Sequence, residues 1–258
     1  MIVKTKSRKI TLGTKEWADS NVNCYLGCSN DCRYCYAKMM AFRFKRKNTK
    51  NWKHMVPNQK NIEKGYKKRK GRIMFPTSHD ITDESFNNCM IVLRKLVNSK
   101  NKVLVTTKPM YKYIVKICNL FQNYKEFIQF RFTITSIDNS LLNFWEPGAP
   151  SFNERFNSLK FSFNRGFKTS ISIEPFLDED PFILVELLIP YVTESIWIGK
   201  MNYLSRQNLS EEEKNQYSRI SEINSKENLR IILKKAEKYD LSYLRIKDSI
   251  INYLGNNS

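Results

Sequence analysis

The chain has 258 residues, with 44 Lys and Arg against 25 Asp and Glu, a formal net charge of +19, and six cysteines. That length can bury a sizeable core and suits one α/β barrel domain, not a small disulfide-stapled scaffold. No apolar run approaches the roughly 18 residues of a membrane-spanning helix. The basic, polar start Met1–Leu12 lacks the apolar core of a signal peptide, which points to the cytoplasm.

Residues 1–19 read as a short extension leading to a first strand around Ser20–Asn23. The next stretch is Cys24-Tyr25-Leu26-Gly27-Cys28-Ser29-Asn30-Asp31-Cys32-Arg33-Tyr34-Cys35-Tyr36-Ala37. Four of the six cysteines fall here, and the last three are spaced C-x3-C-x2-C. Thiolates are the ligands of iron–sulfur clusters, and a short irregular loop can wrap three of them around one cubane. Three protein ligands for four irons leave one iron open to a reactant. A structural zinc site usually draws on two separated ligand pairs. No second pair follows here, and the two histidines, His54 and His79, stand alone in the sequence.

A helix is expected over Tyr36 to Phe44. It runs into a basic insertion at about 43–72. Between Lys38 and Arg72, fourteen Lys and Arg stand against one acid, Glu63, so this segment carries +13 of the net charge. Such density holds phosphate backbones by counterion release, or else is a solvated face.

Strands are expected at Arg72–Phe75, Lys102–Thr106, Gln129–Thr135, Lys168–Ile173, Ser195–Ile198 and Ser242–Ile246, with amphipathic stretches between most of them. Thr82 reads as a helix N-cap followed by Asp83 and Glu84. Ser151 and Glu154 read as a capping box, with Gly166 as a helix stop. Cys89 and Cys118 fall on apolar helical faces, as small buried hydrophobes do. The alternation predicts an α/β fold: one domain over 1–258, a full or partial (β/α) TIM-like barrel of six or seven parallel strands. Chemistry in such barrels sits at the C-terminal strand ends. His79, Asp80, Lys108, Ser136, Glu174, Lys200, Asn202 and Lys247 fall there. Of these, His79 can act as a base or proton donor, and Glu174 can face cofactor or substrate.

The string Gly27-Cys28-x3-Cys32-x-Tyr34-Cys35-Tyr36-Ala37 resembles the radical S-adenosylmethionine (SAM) superfamily, and most of all its spore photoproduct lyase-like branch. Similar motifs recur at Phe75-Pro-Thr-Ser-His-Asp-Ile, Thr106-Thr-Lys-Pro, Phe132-Thr-Ile-Thr-Ser and Glu146-Pro-Gly-Ala-Pro-Ser, with Arg155 downstream. The resemblance implies a [4Fe–4S] cluster on Cys28, Cys32 and Cys35, with SAM on the open iron. Reductive cleavage of SAM then gives a radical that abstracts a hydrogen from substrate. It also implies that Ser78 or Asp80 accepts from the SAM ammonium and that Lys108 pairs with its carboxylate. Ser136 would reach the ribose or carboxylate, and the backbone at Tyr34 and Tyr36 would lie near the adenine. Asp80 and Lys108 are expected away from the cysteine loop itself. Cys24, four residues before the first ligand, is a candidate hydrogen donor to a product radical. Glu146 and Arg155 are expected to brace the Pro-Gly-Ala-Pro turn.

An enzyme of this kind needs an electron donor of the flavodoxin or ferredoxin type, whose acidic face suits a basic surface. Trp52 and Tyr66 among the cations suggest a platform for a nucleic acid or nucleotide substrate. The alternative from another class is a nucleic-acid-binding module with a structural four-cysteine zinc site.

Overall fold

In the computed structural model, residues 10–204, 209–240 and 242–255 are described. The first nine residues of the basic N-terminal stretch lie outside that range. The chain runs from β1 (Ser20–Asn21) through β2 (Tyr25–Leu26), α1 (Tyr36–Arg43), β3 (Val56–Pro57) and α2 (Gln59–Glu63) to β4 (Arg72–Phe75). It continues with α3 (Phe86–Asn98), β5 (Lys102–Thr107), α4 (Tyr111–Leu120), β6 (Ile128–Thr133), α5 (Asn139–Trp145), α6 (Phe152–Asn164) and β7 (Lys168–Ile173). The last elements are α7 (Phe182–Leu188), β8 (Ser195–Ile198), α8 (Glu211–Ile223), α9 (Lys226–Ala236), β9 (Leu244–Ile246) and α10 (Asp248–Gly255). Seven strands pair in parallel in the order β1-β4-β5-β6-β7-β8-β9, a partial TIM-like barrel. The antiparallel ribbon β2–β3 stands apart from that sheet.

The two-residue period of the strands separates the faces. Ile73, Phe75, Val103, Val105, Phe130, Phe132, Ile171 and Ile173 share the main core with the apolar faces of α3, α4 and α7. The intervening residues Met74, Leu104 and Trp197 form a separate small cluster with Trp17. Polar residues share that face. The Arg131 guanidinium donates to Ser170 (3.1 Å) and Ser195 (3.3 Å) and lies over the rings of Trp17 and Trp197. Residues 11–19 join the two edges of the sheet. Thr11 N–H donates to Asp248 and Asp248 N–H to Glu16, both at 2.8 Å, while Asp19 accepts from Arg72 N–H at 2.8 Å.

Several local expectations shift. β6 ends at Thr133; beyond it the Thr135 hydroxyl donates to Glu146 and the Thr135 carbonyl accepts from Leu177 N–H at 3.0 Å. α3 begins at Phe86; Thr82 instead sits in a turn closed by Ser85, whose N–H donates to the Thr82 carbonyl. Ser151 caps α6 through Glu154 N–H, but the Glu154 carboxylate accepts from Tyr111 N–H, so only half of the capping box forms. Gly166, at φ +75, ends α6 as expected.

The basic segment is anchored by buried aromatics. Trp52 and Tyr66 are 1% and 6% exposed, so neither ring is open for base stacking. Trp52 meets Phe42 edge-on, and its carbonyl accepts from Cys28 N–H. Trp52 packs with Cys28 and Ala41 beside the cysteine loop, while Tyr66 joins the main core. Among the described residues, no helix is long and apolar enough to cross a membrane.

Candidate active site

The loop from β1 to α1 lies across the C-terminal exits of β4 and β5, and its path is set by two glycines. Gly27 has φ +101, and a Cβ there would come within 2.7 Å of the carbonyl oxygens of Trp52 and His54. Glycine therefore lets Cys28 N–H reach the Trp52 carbonyl at 3.2 Å. A Cβ on Gly148 would lie 2.4 Å from the Ser29 carbonyl oxygen, and its N–H donates to Asn30. The Pro-Gly-Ala-Pro turn thus closes over the loop's far side. Cys35 is the N-cap of α1, its sulfur accepting from Lys38 N–H at 3.4 Å.

Cys28, Cys32 and Cys35 are free thiols, the first two buried and the third half-buried. Burial, followed by the repulsion of Asp80 and the other two thiols, pushes the Cys28 thiol well above its usual range. Burial takes Cys32 up to about 12 despite the nearby Lys108 ammonium, and raises Cys35 as well. Buried thiols of this kind hold their protons until a cation replaces them. Their sulfurs are not gathered within 4.8 Å of one another, as the ligands of one ion would be. The donor set fits a polynuclear group whose irons each take one thiolate.

Asp80 ties the loop to the sheet. Its carboxylate accepts from Asn30 (2.8 Å), the Thr107 hydroxyl (2.9 Å) and Lys108 N–H (2.7 Å), and the Cys28 sulfur lies 3.9 Å away. It therefore does not stand apart from the cysteine loop; it holds the loop in place. The Lys108 ammonium is penalised by burial, but Cys32, Tyr34, Glu146 and Asp80 outweigh that and keep it firmly charged. Its Nζ lies 5.6 Å from the centre of the Tyr34 ring.

Behind Tyr34 stands the Glu146–Arg155 pair, 1% and 0% exposed, with Nη2 and Oε2 2.5 Å apart. The Tyr34 hydroxyl donates to Glu146, and Arg155 Nε donates to the Pro150 carbonyl at 2.8 Å. The pair braces the turn, as expected. Burial raises the Glu146 carboxyl, but Arg155, Lys108 and Tyr34 together bring it below its usual value.

The structure gathers Cys28, Cys32, Cys35, Tyr34, Asp80 and Lys108. The other expected residues make contacts of their own. Ser78 lies in a turn whose 77 and 78 N–H groups both donate to Asn23. Tyr36 is exposed, its ring 5.3 Å from that of Tyr203. The Ser136 hydroxyl donates to Asp178 at 2.5 Å. Glu174 lies 3.7 Å from Lys247 Nζ, which also pairs with Glu16; burial raises the Glu174 carboxyl, with Lys247 opposing.

His79 and Cys24 form a group of their own with Cys89. Cys24 Sγ is 3.6 Å from Cys89 Sγ and 3.8 Å from His79 Nε2. The Cys89 hydrogen bond, opposed by burial and helped by His79, brings Cys24 down to about 6. Burial, then the Cys24 charge, pushes Cys89 well up. A four-cysteine zinc site over 24–35 is therefore not formed, because Cys24 turns to a helix far along the chain. Sequence reading missed Asn23 and Asn30, whose amides lock the strand exits; an Asn in a loop carries no marker of that role.

Spore photoproduct lyase complexed with dinucleoside spore photoproduct superposes with a TM-score of 0.58 at 14% identity, covering 93% of this chain and 80% of that one. The chain has the fold of spore photoproduct lyase. A spore photoproduct lyase variant with bound AdoMet and dinucleoside spore photoproduct matches at 0.54 and 13% identity, covering 88% of this chain and 81% of that chain. Streptococcus suis SuiB bound to S-adenosylmethionine matches at 0.53 and 12% identity, covering 88% of this chain but 46% of SuiB. In sequence, an uncharacterized protein of Methanocaldococcus jannaschii is 26% identical over 194 residues, 73% of this chain and 71% of the relative. No family model matches.

Proposed function

We propose that the chain is a radical SAM enzyme with a [4Fe–4S] cluster on Cys28, Cys32 and Cys35. One observation carries this reading: three free thiols on a single loop, two buried and one half-buried, lie at the C-terminal mouth of a parallel partial barrel. When bound, the cluster supplies an electron that cleaves SAM to methionine and a 5′-deoxyadenosyl radical, which takes a hydrogen from substrate.

The chain's own residues do the rest. Lys108, kept charged by the anions around it, pairs with the SAM carboxylate, and Ser78 accepts from its ammonium. Asp80, with its oxygens already engaged by Asn30, Thr107 and Lys108 N–H, positions the cysteine loop. The Tyr34 backbone borders the adenine. The Glu146–Arg155 pair keeps the wall behind Tyr34 rigid and dry.

The substrate in this reading is a nucleic acid or nucleotide. With Trp52 and Tyr66 buried, the open aromatic is Phe44, 57% exposed, with the Arg43 and Arg46 guanidinium groups 5.9 and 5.5 Å from its ring centre. Beside it a groove of about 400 Å³ is lined by Lys45, Arg46 and Lys47. Aromatics flanked by cations suit stacked bases and phosphates. The electron donor would be a flavodoxin or ferredoxin meeting the basic surface with an acidic face. Anaerobic reconstitution with iron and sulfide, then dithionite and SAM, should release 5′-deoxyadenosine. A reconstituted chain that leaves SAM intact would sink the reading.

A further inference from the structure

A second donor set lies beneath the cysteine loop and has no part in the proposed cluster. Cys24 follows β1, His79 lies in the turn after β4, and Cys89 sits in α3. Their ligand atoms all fall within 4.8 Å of one another, and the residues are 0%, 6% and 0% exposed. Zinc–sulfur bonds of about 2.3 Å and zinc–nitrogen bonds of about 2.0–2.1 Å, at tetrahedral angles, place neighbouring ligands roughly 3.5–3.8 Å apart. The observed spacings of 3.6 Å between the sulfurs and 3.8 Å from Cys24 Sγ to His79 Nε2 match that separation.

We propose that Cys24, His79 and Cys89 bind one divalent ion of the zinc class, a structural metal under the cysteine loop. The His79 ring supplies an independent observation. Its Nδ1 lies 3.0 Å from the Asp80 carbonyl oxygen, which can only accept, so Nδ1 carries the proton. Nε2 then turns its lone pair toward the two sulfurs, the way a metal-bound imidazole is oriented by a carbonyl behind it. The Cys24 N–H reaches Nε2 at a long 3.3 Å, a contact that the ion replaces.

Charge selects the ion. Two thiolates and a neutral imidazole carry −2, which a divalent cation cancels; a monovalent cation would leave a net charge in a site without solvent. The ion would join the chain after β1 to the turn and helix that follow β4. Asp80, which follows His79, ties Asn30 and the cysteine loop to the sheet through its own hydrogen bonds, so the ion is not needed to hold the three loop thiols. Cys24 and His79 would then be structural ligands, with no part in hydrogen or proton transfer.

The test is metal analysis and zinc-edge X-ray absorption on the full chain after iron and sulfide loading. The expected result is about one zinc per chain, bound by two sulfurs and one imidazole nitrogen. Cys89→Ser and His79→Asn should each remove that zinc while leaving the iron content in place. His79→Asn changes a turn residue, so it keeps the test open if Cys89→Ser fails to fold. Cys32→Ala should do the reverse, losing iron and keeping zinc. Three results overturn the proposal: no zinc in the iron-loaded chain, zinc whose ligands are indifferent to Cys89→Ser, or a Cys24–Cys89 disulfide in the purified protein. Failure to bind iron with the zinc intact would instead sink the radical SAM reading alone.

Discussion

Two sets of donors, whose first members Cys24 and Cys28 lie close together in the chain, differ in how they are built. Cys28, Cys32 and Cys35 come from one loop and are spread wider than a single ion allows, and Lys108 stands beside them as a fixed cation. Cys24, His79 and Cys89 come from three elements and converge on one point, with no cation among the contacts described for them. The first set has room for a large group and a charged partner for an anionic ligand. The second has room for one ion and neutralises it internally. Position in the sequence does not assign a cysteine to a site; the direction of its sulfur does.

The sharpest way to break this contrast is to remove the loop thiols one by one. Cys28→Ala, Cys32→Ala and Cys35→Ala should each abolish stable cluster iron and 5′-deoxyadenosine formation, measured by iron content and product chromatography. Cys24→Ala should keep both. Equal iron loss in Cys24→Ala and Cys32→Ala would merge the two sets.

Next in size is the wall behind Tyr34. Arg155→Ala leaves Glu146 buried without its partner, a change that typically costs about 3–5 kcal/mol, read from chemical denaturation. The pH dependence has a definite sign. Glu146 is held below its usual 4.5, so its contribution is present above that value and fades as pH falls through the lower folded value. Without Arg155, acid unfolding should begin at higher pH. An unchanged acid limb would mean that the pair does not support the turn.

Lys108→Ala should lower SAM affinity roughly ten- to a hundredfold, the loss of one charge-assisted hydrogen bond worth about 1.5–3 kcal/mol. Titration calorimetry on the iron-loaded chain measures it, with cluster absorbance unchanged. Asp80→Ala should disturb both SAM binding and the cluster, because its carboxylate holds Asn30 and faces Cys28.

Much of this was legible in the sequence because its causes are local. Strand positions followed from short apolar runs, and all seven expected strands are present to within a few residues. The C-x3-C-x2-C loop is likewise a short-range pattern. What escaped was tertiary. Cys24 and Cys89 are 65 residues apart, and Asp248 meets Glu16 across 232, so no spacing rule connects them. Trp52 and Tyr66 were misread for a related reason: an aromatic between lysines looks the same whether it faces a base or the core.

The smallest expected effect concerns the basic groove. Replacing Lys45 and Arg46 by Gln should flatten the salt dependence of single-strand binding by about 0.7 per lost phosphate contact, without changing SAM cleavage in the absence of substrate. An unaltered slope in filter-binding assays would leave those cations as a solvated face.

The central claim, a cluster with three protein thiolates and one iron open to SAM, is tested most directly by electron paramagnetic resonance of the dithionite-reduced, iron-loaded chain. Adding SAM should shift the signal of a [4Fe–4S] cluster, and Lys108→Ala should need more SAM to produce the same shift. A reduced-cluster signal that SAM leaves unchanged at saturating concentration would contradict the account.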